Sequence, residues 1–208
     1  MAKRILPYRD YSEHDVVNLF SLATSAYTIA DAKSNAAVGG AFDSGVVVKV
    51  SAGSATLPGD MHSTESGLDA SGDLRDYLGA SFSSAHIGYN AYPFNGMTVE
   101  PEDATGDKAI GITLRETLAY DENGEKMLYY KQKLDEAQAV LPGQTVPVLT
   151  RGIVLLDVSA FGSAPSVGDK LEVSATAGKL DTATSGTVVG AVLAKDADSA
   201  KFLCRISF

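Results

Sequence analysis

The stretch that most constrains this chain is Pro142 to Phe208, a series of short β-branched or alternating runs, each stopped by Gly, Pro, Asp or Ser. It opens PGQTVPVLTRGIVLL, turns through SAPSVGDKLEVSATAGKLDT, rises as GTVVGAVLAKD and closes on KFLCRISF. Runs this short and this regularly punctuated predict a small antiparallel β-barrel or sandwich. Strands are expected at 144–157, 168–174, 187–195 and 201–208. Pro147 removes a ladder donor, so it belongs at an edge or bulge. Gly168-Asp169 and Gly178-Lys179 are tight-turn sites. In 201–208 the alternation is strict, with Phe202, Cys204, Ile206 and Phe208 on one face and Lys201, Leu203, Arg205 and Ser207 on the other. Cys204 is the only cysteine. No intrachain disulfide can form, and a buried, inert thiol is expected.

Upstream the signals are weaker. Gly45 to Ser51 reads as a strand, and Ala109 to Ala119 resumes the pattern with Ile110, Ile112 and Leu114 on one side. Asn123-Gly124 marks a turn. In Lys126 to Ala139, MLYY favours a strand while KQKLDEAQAVL fits a short helix ended by Pro142-Gly143. Residues 12–30 admit a helix capped by Ser12 or a strand with Val16, Asn18, Phe20 and Leu22 on one side; the strand is favoured. Met1 to Tyr11 reads as an arm that reaches onto something else and whose loss leaves the fold intact. The expected organisation is an arm and first strand over 1–30, then one β domain over 31–208. A long inserted loop region, or flap, occupies about 53–107.

Charge sharpens that division. The chain carries a formal net charge of −9, yet residues 54–107 hold Arg75 alone against nine carboxylates. Nucleic acid is disfavoured as a partner, because phosphate binding wants a basic stripe. No run is long enough to span a membrane, and no apolar leader is seen at the N-terminus, so synthesis and folding in a reducing host cytoplasm are expected.

Chemistry is searched for without success. His14, His62 and His86 lie far apart and without cysteine pairs, so no zinc spacing exists. Nucleophile-elbow, phosphate-loop and dinucleotide motifs are missing. Asp69, Asp73, Asp76, Glu100, Glu102, Asp103 and Asp107 do not match a calcium loop and read as a solvated acidic face. No catalytic, cofactor-binding or metal-binding residue is assigned, and the chain is not read as an enzyme. The aromatic patch Tyr89, Tyr92 and Phe94 reads either as packing of the flap or as a contact surface for protein or glycan.

From Ala139 onward the order of motifs resembles the capsid decoration, or cement, proteins of tailed bacteriophages, a family long described only as a domain of unknown function. The residues that carry the likeness are Gly143, Val146, Pro147 and Val148 leading to an Arg151-Gly152 turn. Val167, Gly168, Asp169 and Leu171 follow, then the turn at 177–180, the strand at 188–193 and the charged-apolar terminal strand. YDENGEK at 120–126 and DVVNLFSL at 15–22 add to it. The resemblance implies a β module on the exterior of the virion capsid that binds the major capsid protein and stabilises capsomers. It also implies a homotrimer at threefold and quasi-threefold positions, with no cofactor. Interface candidates are Arg4, Leu6, Tyr8 and Tyr11 in the arm, and Tyr89, Tyr92 and Phe94 in the flap. The competing reading is a receptor- or glycan-binding β module of a head or tail fibre.

Overall fold

A computed structural model describes residues 4–22, 43–50, 98–102, 108–118, 127–141, 144–197 and 200–208. The fold is mainly β and is built on two six-stranded sheets, neither closed into a barrel. In chain order the strands are β1 (Ile5–Asp10), β2 (Val16–Val17), β3 (Ser21–Leu22), β4 (Val47–Val50), β5 (Thr98–Pro101), β6 (Ala109–Thr113) and β7 (Glu116–Thr117). After a helix α1 (Lys131–Glu136) come β8 (Ala139–Val140), β9 (Val148–Leu149), β10 (Arg151–Asp157), β11 (Lys170–Val173), β12 (Leu180–Thr182), β13 (Gly190–Lys195) and β14 (Lys201–Ser207). The first sheet runs β1-β10-β14-β13-β11-β12, antiparallel throughout. The second runs β2-β9-β6-β4-β5-β3, antiparallel except for the parallel β3–β5 pair. β7 and β8 form a small parallel pair.

The terminal strand shows why the first sheet forms. Phe202, Cys204 and Ile206 have no exposed surface, while Lys201, Arg205 and Ser207 face solvent. Such period-two burial fixes register, because a one-residue slip would turn every apolar side chain outward. β14 accordingly pairs with β10 without a break from Arg151↔Ser207 to Asp157↔Lys201. Phe202 meets Phe161 edge-on at 5.2 Å between ring centres. Val47, Ile112 and Leu149 of the second sheet join the same core, so the two sheets share one apolar interior in the manner of a sandwich. Residues of opposite parity, Val46, Val48, Val99 and Val148, are buried as a separate cluster, with Phe20 and Ile110 against it. The second sheet therefore has apolar side chains buried on both faces, as an unbroken GVVV run requires.

Several expectations are refined. The single strand expected over 144–157 divides at Thr150. β9 ends in the second sheet and β10 starts in the first, so Arg151 and Gly152 lie within a strand rather than in a turn. Thr150 fixes this corner: its N–H and its hydroxyl both donate to the Asp15 carbonyl at 2.9 Å. Pro147 falls just before β9, where no ladder donor is needed, and its carbonyl accepts the Leu114 N–H. Around residues 12–22 both local signals are used. Ser12 accepts the His14 N–H and caps a one-turn 3-10 segment, Glu13–Asp15, before β2 and β3. MLYY does not make a strand: Met127–Tyr129 is another 3-10 turn, and α1 follows it over the good helix formers KQKLDE. The helix packs Leu134 against Leu118, Met127 and Ala139.

Candidate interaction surface

The arm expected at residues 1–11 is, over its described part, a strand of the first sheet. β1 pairs with β10 through Ile5↔Leu156, Arg9↔Val154 and Asp10↔Ile153. Ile5 is 2% exposed and belongs to the main core. The expectation that residues 2–11 can be removed without harm to the fold is therefore corrected, because Ile5, Arg9 and Asp10 pair with β10, far along the chain, and Ile5 lies in the core. β1 is an edge strand, and Pro7 with the irregular register between Ile5 and Arg9 breaks up that edge. Natural sheets use both devices against edge-to-edge pairing.

The four interface candidates on β1 and just beyond it are placed unequally. Tyr8 is 57% exposed. Leu6 is half-buried and lines a small cavity of about 150 Å³ with Pro7, Arg9, Leu114 and Gln138. Arg9 closes one side of it by donating from Nη2 to Gln138 Oε1 at 3.0 Å. Tyr11 packs against the core. Arg4, expected at the surface, is 5% exposed. Tyr89, Tyr92 and Phe94 lie outside the described residues, as do Asp69, Asp73, Asp76, Asp103 and Asp107.

Arg4 belongs to a buried polar junction that ties the sheets together. Its Nη1 donates to the Gly178 carbonyl at 3.1 Å, and its Nε lies 3.4 Å from Asp43 Oδ2. Burial lowers the Arg4 pKa and raises that of Asp43, each shift only partly offset by the other's charge. The Gly178 carbonyl also accepts the Val47 N–H at 3.2 Å, and the Gly178 N–H donates to the Glu102 carbonyl at 2.7 Å. The β11–β12 hairpin of the first sheet thus docks on β4 and the end of β5 in the second. Glu102, expected on a solvated acidic face, is 1% exposed, and its Oε2 lies 3.2 Å from Lys49 Nζ. That contact is an ion pair whose geometry falls short of a hydrogen bond. Glu100 lies 3.8 Å from the same ammonium. Charges so deeply placed persist only when paired. The sequence flagged the Gly178 turn but not its partners, which come from segments far away in the chain.

At the far edge of the first sheet, carboxylates brace the loops. Asp181 accepts the Ser174 hydroxyl at 2.5 Å and both the N–H and hydroxyl of Ser163 at 2.8 Å. Burial pushes its carboxyl up, but those hydrogen bonds and the Lys179 charge outweigh it and leave the group below the ordinary range. Glu172 is held low chiefly by the Gly186 N–H, at 2.6 Å, and by Thr184 and Ser185. Cys204, fully buried, has its thiol pushed up to about 12 by desolvation. Among the described residues no group of His, Cys, Asp and Glu is placed to hold a metal ion. These polar groups are absorbed in holding loops and sheets, so the arrangement is that of a braced scaffold.

No curated protein and no solved structure matches the chain. A family model described as structural cement protein (E217 gp24/Pam3 gp6) matches residues 57–208. β1 and β4, which precede the matched residues, are hydrogen-bonded to β10 and β6 within them, so the matched part and the N-terminal strands share sheets. The match covers well over half of the chain, and the chain belongs to the phage structural cement protein family.

Proposed function

We propose that this protein binds the outer surface of a tailed-phage capsid and cements neighbouring capsomers, as a homotrimer at threefold and quasi-threefold positions. The family match over 57–208 carries the reading. The partners in it are the major capsid protein and further copies of the chain, and no catalytic step is part of it. A cement protein needs a rigid body with contact surface, and the two sheets pinned at Gly178 and Glu102 supply the rigidity. Many modest contacts on one shell gain by multivalency. Because cement binds the assembled shell and not its dispersed parts, it stabilises the shell by mass action. Exposed Tyr8 is the residue of β1 that offers contact area, and Leu6 and Tyr11 are assigned the same role, as is the aromatic set Tyr89, Tyr92 and Phe94. Arg4 acts through the junction that holds β1.

The test is light scattering on the purified protein, followed by pelleting with empty phage heads. A trimer that co-sediments at a saturating, fixed ratio to the major capsid subunit is expected. A monomer that stays in the supernatant would refute the proposal.

A further inference from the structure

β1 is held in the first sheet from one side only. It forms the edge, whereas β10 beneath it pairs with β14 from Arg151 to Asp157 without a break. Even the β1–β10 ladder is incomplete. Between Ile5↔Leu156 and Arg9↔Val154, the three residues Leu6, Pro7 and Tyr8 stand opposite Leu155 alone. Surplus residues leave a ladder locally unpaired, and Pro7 has no N–H to contribute. Behind this slack middle lies the cavity that Leu6, Pro7 and Arg9 share with Leu114 and Gln138, so side-chain packing is interrupted at the same place.

The two ends of β1 are fastened differently. At the first, Ile5 is the one β1 residue in the main core. Next to it, burial works against both charges of the Arg4–Asp43 pair, and each only partly relieves the other. Release of Arg4 would return both groups to water. At the second end, Arg9 is tied to Gln138 by an exposed hydrogen bond. Beyond Asp10 the chain is firmly seated again. Tyr11 packs against the core and lies so close to Gly152 that a Cβ there would come within 2.7 Å of its own. Thr150 then fixes the Asp15 carbonyl.

We propose that β1 is a strap that detaches from β10 as one unit, hinged at Tyr11, while both sheets stay folded. Opening breaks one edge ladder and exposes Ile5, but it leaves the β10–β14 pairing and the rest of the core in place. Segments with few buried apolar contacts open in this way well below the free energy of global unfolding. The open form bares the β10 edge, a row of unpaired backbone groups that another extended chain can join. The proposal does not rest on the cement reading.

The experiment is native-state hydrogen exchange on the full chain at low urea, read by NMR. The Asp157 N–H, which donates to the Arg4 carbonyl at 2.7 Å, reports on β1. The amides of Phe202, Cys204 and Ile206 in β14 report on the sheets. Asp157 is expected to exchange at least about tenfold faster than these, with a weaker urea dependence, because less surface is exposed. Two mild variants separate the causes. Ile5→Val should speed Asp157 exchange roughly 2–10-fold, since it loosens the strap. Val48→Ala, in the separate cluster of the second sheet, should speed the β14 amides and leave Asp157 unchanged. An Asp157 amide that exchanges at the β14 rate and follows Val48→Ala would show that β1 opens only with the whole fold. A fast Asp157 amide indifferent to Ile5→Val would mean fraying at the end of β10. Either result overturns the strap.

Discussion

Substitution of Gly178 by alanine tests the junction between the sheets. Gly178 has φ +72°, and a Cβ there would lie 2.6 Å from Val46 Cγ1 and 3.4 Å from Pro101 Cβ. Two costs combine. The left-handed backbone alone costs an L-residue about 1–2 kcal/mol. Forcing a methyl against a packed core side chain adds about 1–3 kcal/mol. Val46 has no exposed surface and sits in a cluster with Val48, Val99 and Val148, so it has little room to retreat. A total near 2–5 kcal/mol is expected, larger if the hydrogen bonds of the Gly178 peptide groups to Arg4, Val47 and Glu102 are lost as well.

Gly168 supplies the control. Its φ is +91°, yet nothing lies within 4 Å of its hypothetical Cβ. Gly168→Ala should therefore show the backbone cost alone. Urea unfolding followed by circular dichroism gives both values, and at about 2–4 °C per kcal/mol the Gly178 variant should melt roughly 4–20 °C below wild type. Val46→Ala opens space for the new methyl, so the double variant should be less destabilised than the sum of the singles, with a coupling of about 0.5–3 kcal/mol. If Gly178→Ala costs no more than Gly168→Ala, or the cycle shows no coupling, the junction does not bear on the packing of the sheets and the reasoning fails.

Ile5→Ala, in a strand first expected to be dispensable, should cost about 2–5 kcal/mol in the same assay; a change below about 0.5 kcal/mol would return β1 to the status of a surface arm. Asp181 is more acidic in the folded protein than in the unfolded chain. It therefore adds stability above the unfolded value of about 3.9, and loses it as pH falls through the lower folded value. Asp181→Asn should flatten the stability loss below about pH 4 and leave its slope near pH 7 unchanged; an identical acid limb by urea titration would remove Asp181 from the account. Asp43, whose pKa is raised, works in the opposite sense and is common to both proteins. Cys204, with its thiol pushed up to about 12, should resist a thiol reagent at pH 8 in the native state and react fully in denaturant. Rapid native labelling would show that β14 opens readily.

Local pattern made the C-terminal half readable. In KFLCRISF every second residue is apolar, and the turn glycines at 168 and 178 mark hairpin ends where both indeed adopt positive φ. Here the chain folds back on near neighbours, so pattern and pairing coincide. β12 was not anticipated, because LDT is too short to announce a strand and is held by its pairing to β11. The division of 144–157 was hidden for a related reason. An apolar run reads the same whether it serves one sheet or crosses between two, and only the Asp15 carbonyl at Thr150 marks the crossing.

The polar junction was less legible because its meaning is wholly long-range. Arg4 looks like any basic residue in a polar N-terminal segment, and Glu102 like one more carboxylate in an acidic interval. Each becomes structural only when β1 reaches β10 and the Gly178 loop reaches β4. The same argument separates Tyr8 from Arg4 among the interface candidates. Both lie in one short segment, but the pairing of β1 buries Arg4 beneath the hairpin and leaves Tyr8 at the exposed edge. Contact roles assigned by residue type alone could not make that distinction. For Leu155 the apolar run RGIVLL carries no alternation to assign a face, and only its register opposite Leu203, which the alternation of the terminal strand already sets against the apolar face, turns it away from the core that Leu156 and Phe202 fill.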